Sequence, residues 1–330
     1  MDKRKKEEYK AAVLAYLLTA ALLYAGLLLP VFLIAVPFVL VYAIARTGYL
    51  LGGGAMLLGF LTVAYFEFFP AVLLAGAFMP VALGTGYMIR SKKRFHDSVI
   101  VSCAMALAGA ALSIALLSLF TKSAATDVIV SYAGSSMKAM GDADIMSLYQ
   151  LVRSPDLLTG AITQQAVWST PPAEAVAIMQ ELLRNMLSIW FVTIIGLYSL
   201  LSGLLYYIIP RAIVKKSIEV APVPAFSDYA LPKRFWLAFL VSHLFAMTGA
   251  SFGWRSFDIV QITVYNLYAF VFSVQALSVF DYFYRKRNMS TGVRAVLHVL
   301  TALILSMLLM WIGIIENISS MRKRAEEREV

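Results

Sequence analysis

Residues 257–283 read FDIVQITVYNLYAFVFSVQALSVFDYF, and this stretch decides how the rest of the chain is interpreted. It is long and apolar enough to cross a bilayer, whose hydrocarbon core of about 30 Å is spanned by roughly 20 helical residues. It nevertheless contains several polar side chains, and burying a polar group without a partner is unfavourable. The stretch therefore predicts a membrane-spanning helix with one face turned away from the lipid.

The polar side chains of this stretch fall on one face of the predicted helix, about 100° wide at about 100° per residue. One hypothesis is that this face lines a cavity for a small polar or aromatic solute, which His243 and His298 of the neighbouring apolar blocks would complete. The alternative is a set of hydrogen bonds that hold the helices together, the usual role of such residues in membranes. The members of the face are Asp258, Gln261, Tyr265, Tyr268 and Gln275.

The composition extends this interpretation to the whole chain. Of its 330 residues, 61% are hydrophobic and 14% are charged, whereas soluble domains are about a quarter charged. This excludes a soluble enzyme, a disordered regulator and, with Cys103 as the one cysteine, a secreted disulfide scaffold. The net charge of +9 is explained by basic cytoplasmic loops rather than by nucleic acid, for which the sequence contains no motif.

Nine apolar blocks of spanning or near-spanning length follow one another along the chain. We therefore predict an all-α, polytopic transmembrane helix bundle of eight or nine spans. The lower count applies if the short second block or the seventh block does not cross. The blocks are residues 11–29, 30–45, 48–66, 68–89, 99–120, 186–209, 235–253, 257–283 and 293–315.

Basic loops predict which side of the membrane the amino terminus occupies. Clusters of Lys and Arg follow the fourth, sixth and eighth blocks, at residues 90–94, 211–216 and 285–287. Because such clusters stay in the cytoplasm, all three place the amino terminus there. A ninth crossing would carry the basic residues of 322–328 outside, against the same rule, and this keeps eight spans open.

The long segment 121–185 is predicted to lie outside and to form helices. Thr170, followed by two prolines and Glu174, has the pattern of a helix start, with proline in the first turn and an acid near the positive end of the helix dipole. Val176 and Met179 then recur at helical spacing. The segment is therefore either an amphipathic connector at the membrane interface or a lid.

The sequence contains no motif for catalysis, metal binding or cofactor binding. It lacks the HExxH, CxxC, GxSxG and phosphate-loop patterns, and its glycine run at 52–54 is not followed by the lysine that a phosphate loop needs. We therefore predict no catalytic residue, no metal and no cofactor. An intramembrane enzyme would need His243, Asp258 and His298 to converge on one point.

The order of several motifs resembles the YybS-like family of bacterial multi-spanning membrane proteins. In the first half of the chain, the segment 36–46, the glycine-rich segment 48–54 and the glycines before Arg90 carry the resemblance. In the second half, it is carried by FSDYALP at 226–232 and QALSV at 275–279. The resemblance implies a location in the bacterial cytoplasmic membrane.

That family is distantly similar to the S components of energy-coupling-factor transporters and to the rod-shape protein MreD. The similarity implies a six-span core at residues 1–216, with 121–185 as an insertion, and a two- or three-span extension at 217–330. It also implies contact with a partner subunit through small residues of the first span, at the four-residue spacing that permits close helix contact. These residues are Ala11, Ala15, Ala21 and Ala25.

Besides the intramembrane enzyme, two functions remain open at this point. The first is a membrane-embedded solute-binding or transport component, which works with partner subunits because the chain has no ATP-binding motif of its own. It predicts a cavity of a few hundred Å³ near residues 257–283, open toward the external segment. The second is a non-transporting scaffold of the MreD kind, which predicts solid packing there.

Overall fold

A computed structural model of the chain describes residues 3–158, 167 and 169–322, and the regular structure in this part is helical. The apolar blocks form helices because a helix satisfies its own backbone hydrogen bonds, which lipid cannot do. The α-helices of the described part are numbered along the chain. They are α1 (Lys3–Leu28), α2 (Val36–Gly48), α3 (Gly54–Phe66), α4 (Phe68–Arg90), α5 (Phe95–Thr121), α6 (Ala125–Lys138), α7 (Asp142–Leu158), α8 (Pro172–Val214), α9 (Phe235–Ser251), α10 (Arg255–Lys286), α11 (Thr291–Ile304) and α12 (Ser306–Ser319).

Six helical segments of the described part are long and apolar enough to cross a membrane. A seventh results if α11 and α12 together form one span, and α9 is apolar but only 17 residues long. The chain is thus an all-α polytopic membrane protein, as the sequence predicts, while the count of eight or nine crossings stays a prediction. The six segments are Lys5–Leu28, Pro30–Phe66, Phe68–Arg90, Phe95–Thr121, Pro172–Val214 and Ser256–Lys286.

The second and third apolar blocks are joined by a turn at Gly48 rather than by a loop. Gly48 has a φ of +84°, a left-handed conformation that residues with a Cβ rarely adopt, and a π-helix, Tyr49–Gly53, follows it. A Cβ on Gly52 would lie 2.8 Å from the backbone of Ala43, although a straight helix would separate these two residues by about 13 Å. The chain therefore folds back on α2 at this point.

Arg90, the last residue of α4, lies at the open end of α2. Its Nη1 donates hydrogen bonds to the carbonyl oxygens of Arg46 at 2.9 Å and of Ala45 at 3.5 Å. The last carbonyls of a helix have no partner within that helix, so the guanidinium satisfies groups that the turn at Gly48 leaves free. Because α2 and α4 also share a buried apolar core, packing and hydrogen bonds together join the two helices.

Glycines bring α5 into backbone contact with its neighbours. A Cβ on Gly109 would lie 2.2 Å from the carbonyl oxygen of Ala77 in α4. A Cβ on Gly203 in α8 would lie 2.5 Å from the Cα of Cys103. Small residues let helices approach this closely, which is how dispersion contacts hold helices together in lipid.

The last apolar block is broken at Leu305, where α11 and α12 meet with a bend of 105°. The block is therefore not one straight helix. α11 is amphipathic: Arg294, His298 and Thr301 lie on its polar side, and an exposed apolar face lies opposite, as in helices that rest in a membrane interface. The exposed face consists of Val293, Val296, Leu300 and Leu303.

Two compact units can be distinguished: Met1–Leu112 together with Val192–Val330, and Ser113–Phe191. The second unit contains α6 and α7, and its bounds include the whole predicted insertion 121–185. The predicted core of residues 1–216 and extension of 217–330 stay predictions.

The predicted helix start after Thr170 is confirmed, because α8 begins at Pro172 and has Glu174 in its first turn. The helix then continues without a break to Val214. Val176 and Met179, which recur at helical spacing, are buried within the second unit.

Candidate functional site

A polar cavity of about 430 Å³ lies where α10, α12 and the connector before α9 meet. Its volume falls in the range of small-molecule sites, about 300–1,000 Å³. One of the predicted site residues, Gln275, is part of its lining. The lining residues are Ser227, Asp228, Ala230, Leu231, Lys233, Gln275, Tyr282, Glu316, Asn317, Ser320 and Arg322.

Close packing of α12 on α10 places the side chains of one wall. A Cβ on Gly313 would lie 2.0 Å from the carbonyl oxygen of Phe272, so the two backbones touch there. Glu316 lies three residues further along α12 and thus on the same face. Asn317 fixes this end of α12 to the start of α9, since its side-chain oxygen accepts from the Trp236 backbone at 3.1 Å and its Nδ2 donates to a connector carbonyl at 3.1 Å.

Arg322 connects three segments at the edge of the cavity. Its Nε donates to Oε1 of Glu316 at 2.9 Å, and the two side chains are only 11% and 5% exposed. Its Nη1 donates to the carbonyl oxygen of Ser227 at 2.6 Å and to the hydroxyl of Ser278 at 3.3 Å. Ser278 in turn donates to the carbonyl oxygen of Tyr229 at 2.7 Å. A buried charge needs such a partner and such hydrogen bonds, so this network fixes the carboxylate in place.

Two acceptor atoms at this cavity have no hydrogen-bond partner within the described part of the chain. They are Oε1 of Gln275, a residue that is 1% exposed, and Oε2 of Glu316, a residue that is 5% exposed. Leaving a buried polar atom unpaired costs about 1–3 kcal/mol. Both residues line the cavity, but the two unpaired oxygens are themselves covered by neighbouring atoms. A solute with hydroxyl, amide or ammonium donors therefore reaches them only when these side chains turn toward the cavity.

A metal ion is a different kind of occupant, and it requires a cluster of ligands. In the described ranges, no three His, Cys, Asp or Glu side chains lie close enough together to hold one.

The structure places the predicted site residues in several places rather than one. Gln275 is fully buried at the polar cavity, Gln261 and Tyr268 are half-buried, and Asp258 and Tyr265 are exposed. The reason is distance along the helix: the 17 residues from the first to the last member of the face correspond to about 26 Å. Residues on one face therefore do not have to share one site.

His243 and Tyr268 belong to an aromatic cluster on α9 and α10. The imidazole of His243 is stacked on Phe239 at 5.3 Å between ring centroids and lies 6.0 Å from the ring of Tyr265. Tyr268 packs against Phe235 at 5.3 Å and also lines an apolar cavity of about 270 Å³. Aromatic packing thus accounts for the positions of both residues.

His298 lies in a third place, next to Asp281 near the end of α10. Its Nε2 is 3.2 Å from Oδ1 of Asp281, which also accepts a 2.9 Å hydrogen bond from Arg294. This group lines a further cavity of about 340 Å³.

Sequence reasoning missed Glu316, Arg322 and Asp281. Glu316 and Asp281 are acids near the ends of apolar blocks, and an ionisable residue within a membrane segment is itself a signal of a functional or paired site. Arg322 was interpreted only as part of a basic tail, because its reach back to Glu316 depends on the left-handed turn at Ser320, whose φ is +49°. The remainder of that tail, from residue 323, lies outside the described residues.

Another cavity, of about 510 Å³, lies among charged residues beyond the ends of α2 and α4. Arg46 donates to the hydroxyls of Tyr42 at 2.7 Å and Ser217 at 3.0 Å. The hydrogen bond from Lys92 lowers the pKa of the Glu219 carboxyl below its usual value. The lining combines three acids with three bases and contains none of the predicted site residues.

One further pKa is shifted in the connector between α8 and α9. Burial, and secondarily the charge of Cys103, raise the pKa of the Tyr229 phenol. The phenol therefore remains neutral at physiological pH.

The four alanines predicted to contact a partner differ in exposure. Ala11 and Ala15 are buried inside the chain, whereas Ala21 is exposed and Ala25 is half-buried. Only the second pair thus presents surface to another subunit, and the partner contact itself stays a prediction.

Comparison with known proteins identifies one family. Residues 12–316 match the family described as predicted membrane protein (DUF2232). No curated protein and no solved structure matches the chain.

Proposed function

We propose that this chain, which belongs to the DUF2232 family of predicted membrane proteins, binds a small polar solute as the solute-binding component of a membrane transport system. The observation that carries the proposal is the polar cavity of about 430 Å³, whose lining residues Gln275 and Glu316 each have a buried, unpaired acceptor atom. A buried polar residue that has no hydrogen-bond partner in the protein is most simply explained by a partner that binds from outside, such as a solute.

The lining indicates which solutes fit. Arg322 compensates the charge of Glu316 through a 2.9 Å hydrogen bond, and the side chains of Asp228 and Lys233 add one charge of each sign. The cavity is therefore close to neutral overall and presents acceptor oxygens. A neutral or singly cationic molecule with at least two donor groups matches it best.

The position of the cavity differs from the expected one. Its lining residues come from the connector before α9 and from α10 and α12, whereas the expectation was an opening toward the segment 121–185. Since the basic clusters predict that this connector lies in the cytoplasm, the proposed solute site belongs to the cytoplasmic side of a bacterial cell membrane, the side of the amino terminus.

Transport by this chain would depend on partner subunits, because its sequence has no ATP-binding motif. Ala21 and Ala25 on α1 offer a small-residue surface for such a contact. The distant similarity to S components supports this arrangement by analogy of fold alone. No catalytic step is part of the proposal.

The scaffold alternative is favoured by a different observation. The helix backbones touch at Gly109, Gly203 and Gly313, and such tight packing suits a rigid protein that positions other membrane proteins. A scaffold predicts that the polar cavity holds only water. Solute binding is therefore the property that separates the two functions.

The test is mass spectrometry of small molecules retained by the purified full chain, with matched variants on α10. Gln275→Met removes the unpaired acceptor while keeping the side-chain length. Gln261→Met makes the same chemical change on the same helix, at a half-buried position outside the cavity lining. Both variants are compared with the unmodified protein for retained molecules and for thermal unfolding.

We expect the unmodified protein and Gln261→Met to retain a molecule that carries hydrogen-bond donors. Gln275→Met should bind the same molecule about tenfold more weakly, because one hydrogen bond of about 1.4 kcal/mol is lost. Equal retention by both variants, or the absence of any retained molecule together with unchanged unfolding in Gln275→Met, would overturn the proposal in favour of the scaffold.

A further inference from the structure

The cavity beside α11 has a positive lining. Its volume is about 340 Å³, and Arg285, Arg294 and His298 line it together with Asp281. Asp281 neutralises one of the two guanidinium groups, since it accepts a 2.9 Å hydrogen bond from Arg294. Arg285 donates only to the hydroxyl of Ser227, at 2.7 Å, and forms no ion pair among the described residues. The Ser227 hydroxyl donates in turn to the Asp228 carboxylate at 2.9 Å, so the exposed guanidinium of Arg285 is connected to a carboxylate through a hydroxyl and pairs with none directly.

One of the two unpaired atoms at this cavity is a donor, whereas both unpaired atoms at the polar cavity beside Glu316 are acceptors. The Nε of Arg294 is buried and has no partner within the described part. The Nδ1 of His298 is also buried and unpaired there. Since Nε2 of His298 faces the Asp281 carboxylate, Nδ1 either accepts from a hydroxyl or, in the imidazolium form, donates to an anion. A ligand with acceptor oxygens satisfies the guanidinium of Arg294.

The start of α11 adds to the attraction for an anion. Thr291, the first residue of this 14-residue helix, lines the cavity. The first backbone N–H groups of a helix have no intrahelical partner, and the helix dipole places partial positive charge there. An oxyanion at this position is stabilised by both effects.

The other side of α11 is suited to lipid. Four exposed apolar residues, three or four positions apart, form one face of the helix, directly opposite Arg294 and His298. An amphipathic helix of this kind lies in the interfacial plane, with its apolar face among the acyl chains. The cavity is then at the depth of the lipid headgroups. The four residues are Val293, Val296, Leu300 and Leu303.

We propose that the cavity formed by Arg285, Arg294, His298 and the start of α11 binds the phosphate of an anionic phospholipid headgroup. A lipid headgroup and free inorganic phosphate would both supply the phosphate-type anion that this cavity fits. The lipid is the source that the apolar face of α11 favours. Basic pockets at the cytoplasmic ends of membrane helices bind such headgroups, and this inference does not depend on the proposed solute site.

The experiment uses the full chain in uncharged detergent micelles, titrated with phosphatidylglycerol, with phosphatidylcholine or with inorganic phosphate. Thermal unfolding is followed through the fluorescence of its five tryptophans. Arg285→Gln removes the unpaired charge from the cavity. Arg287→Gln removes the same charge two residues away, at an exposed position outside the lining.

We expect phosphatidylglycerol to raise the unfolding temperature of the unmodified protein and of Arg287→Gln at the same lipid concentration. Arg285→Gln should need about tenfold more lipid for the same effect, the ratio for one lost hydrogen bond to a charged group. Equal behaviour of the two variants, or an equal effect of phosphatidylcholine, would overturn the site. A full effect of inorganic phosphate without lipid would overturn the lipid as the ligand.

Arg294→Lys is a second variant that keeps a positive charge beside Asp281 and removes the unpaired Nε donor. It should also weaken the response to phosphatidylglycerol while the protein still unfolds cooperatively. An unchanged response would contradict the role of Arg294.

Discussion

Arg322 and Glu316 form an ion pair in a buried position, with Nε of the arginine 2.9 Å from Oε1 of the glutamate. The pair joins the end of α12 to the residues that follow it. It also brings the carboxylate to the cavity where Gln275 has its unpaired oxygen. A single contact therefore links the stability of this region to its proposed binding chemistry.

Removing one partner of this pair should destabilise the protein strongly. We expect Arg322→Met to lower the free energy of unfolding by about 3 kcal/mol, because it leaves a buried carboxylate uncompensated. The double variant Arg322→Met, Glu316→Gln should recover part of the loss. Thermal unfolding in detergent measures both. Glu7 and Lys10 form a control pair at the surface, 3.3 Å apart, for which a similar cycle should give less than about 1 kcal/mol.

Gly48 should not tolerate a side chain. Gly48→Ala forces a residue with a Cβ into a φ of +84° and should cost about 1–3 kcal/mol. Gly54 is the matched control, since it begins α3 and a Cβ there meets no atom within 4 Å. Gly54→Ala should leave the unfolding temperature unchanged or raise it. Equal effects of the two substitutions would contradict the turn.

Gly313 should be needed for the contact between α12 and α10. A Cβ at this position would lie 2.0 Å from the carbonyl oxygen of Phe272, so Gly313→Ala forces the helices apart. We expect a loss of roughly 1–3 kcal/mol, as for other overpacked cores, and weaker solute retention. Gly292→Ala is the control, because a Cβ at Gly292 meets nothing within 4 Å; a loss of similar size there would refute the explanation.

The ion pair of Lys92 and Glu219 should respond to acid. The hydrogen bond from Lys92 lowers the pKa of the Glu219 carboxyl in the folded protein. The stabilisation is therefore present above the ordinary carboxyl pKa and is lost as the pH falls through the lowered value. Unfolding temperatures of Lys92→Gln and the unmodified protein should differ slightly at neutral pH and coincide in strong acid. A difference that persists in acid would point to another cause.

The sequence predicts the helices well and their interruptions poorly. Residues 257–283 are a helix because a long apolar stretch in lipid has no other way to satisfy its backbone. The fold-back at Gly48 and the bend at Leu305 depend on backbone angles and neighbouring helices. The glycine at position 48 permits a turn, but the sequence alone does not require one, since glycines in membrane helices more often serve close packing.

Helical periodicity likewise predicts only part of the candidate site. The helical repeat groups Gln275 with the other polar residues of the face, and Gln275 is 1% exposed. The repeat cannot reveal Arg322 as a neighbour of α10. Arg322 contacts Ser278, which lies 44 positions away in the sequence, and this contact depends on how α12 packs against α10. The predicted face also extends too far along the helix for its members to meet, so Tyr265 and His298 serve other contacts.

The hydrogen bonds from Arg90 to the carbonyls of Ala45 and Arg46 limit which motions a working cycle could use. Sliding α4 along α2 would break both hydrogen bonds and would also disturb the buried apolar core that the two helices share. The two helices are thus expected to travel as one rigid body. A rearrangement that keeps this pair together must therefore occur in another part of the chain, for example at the 105° bend between α11 and α12.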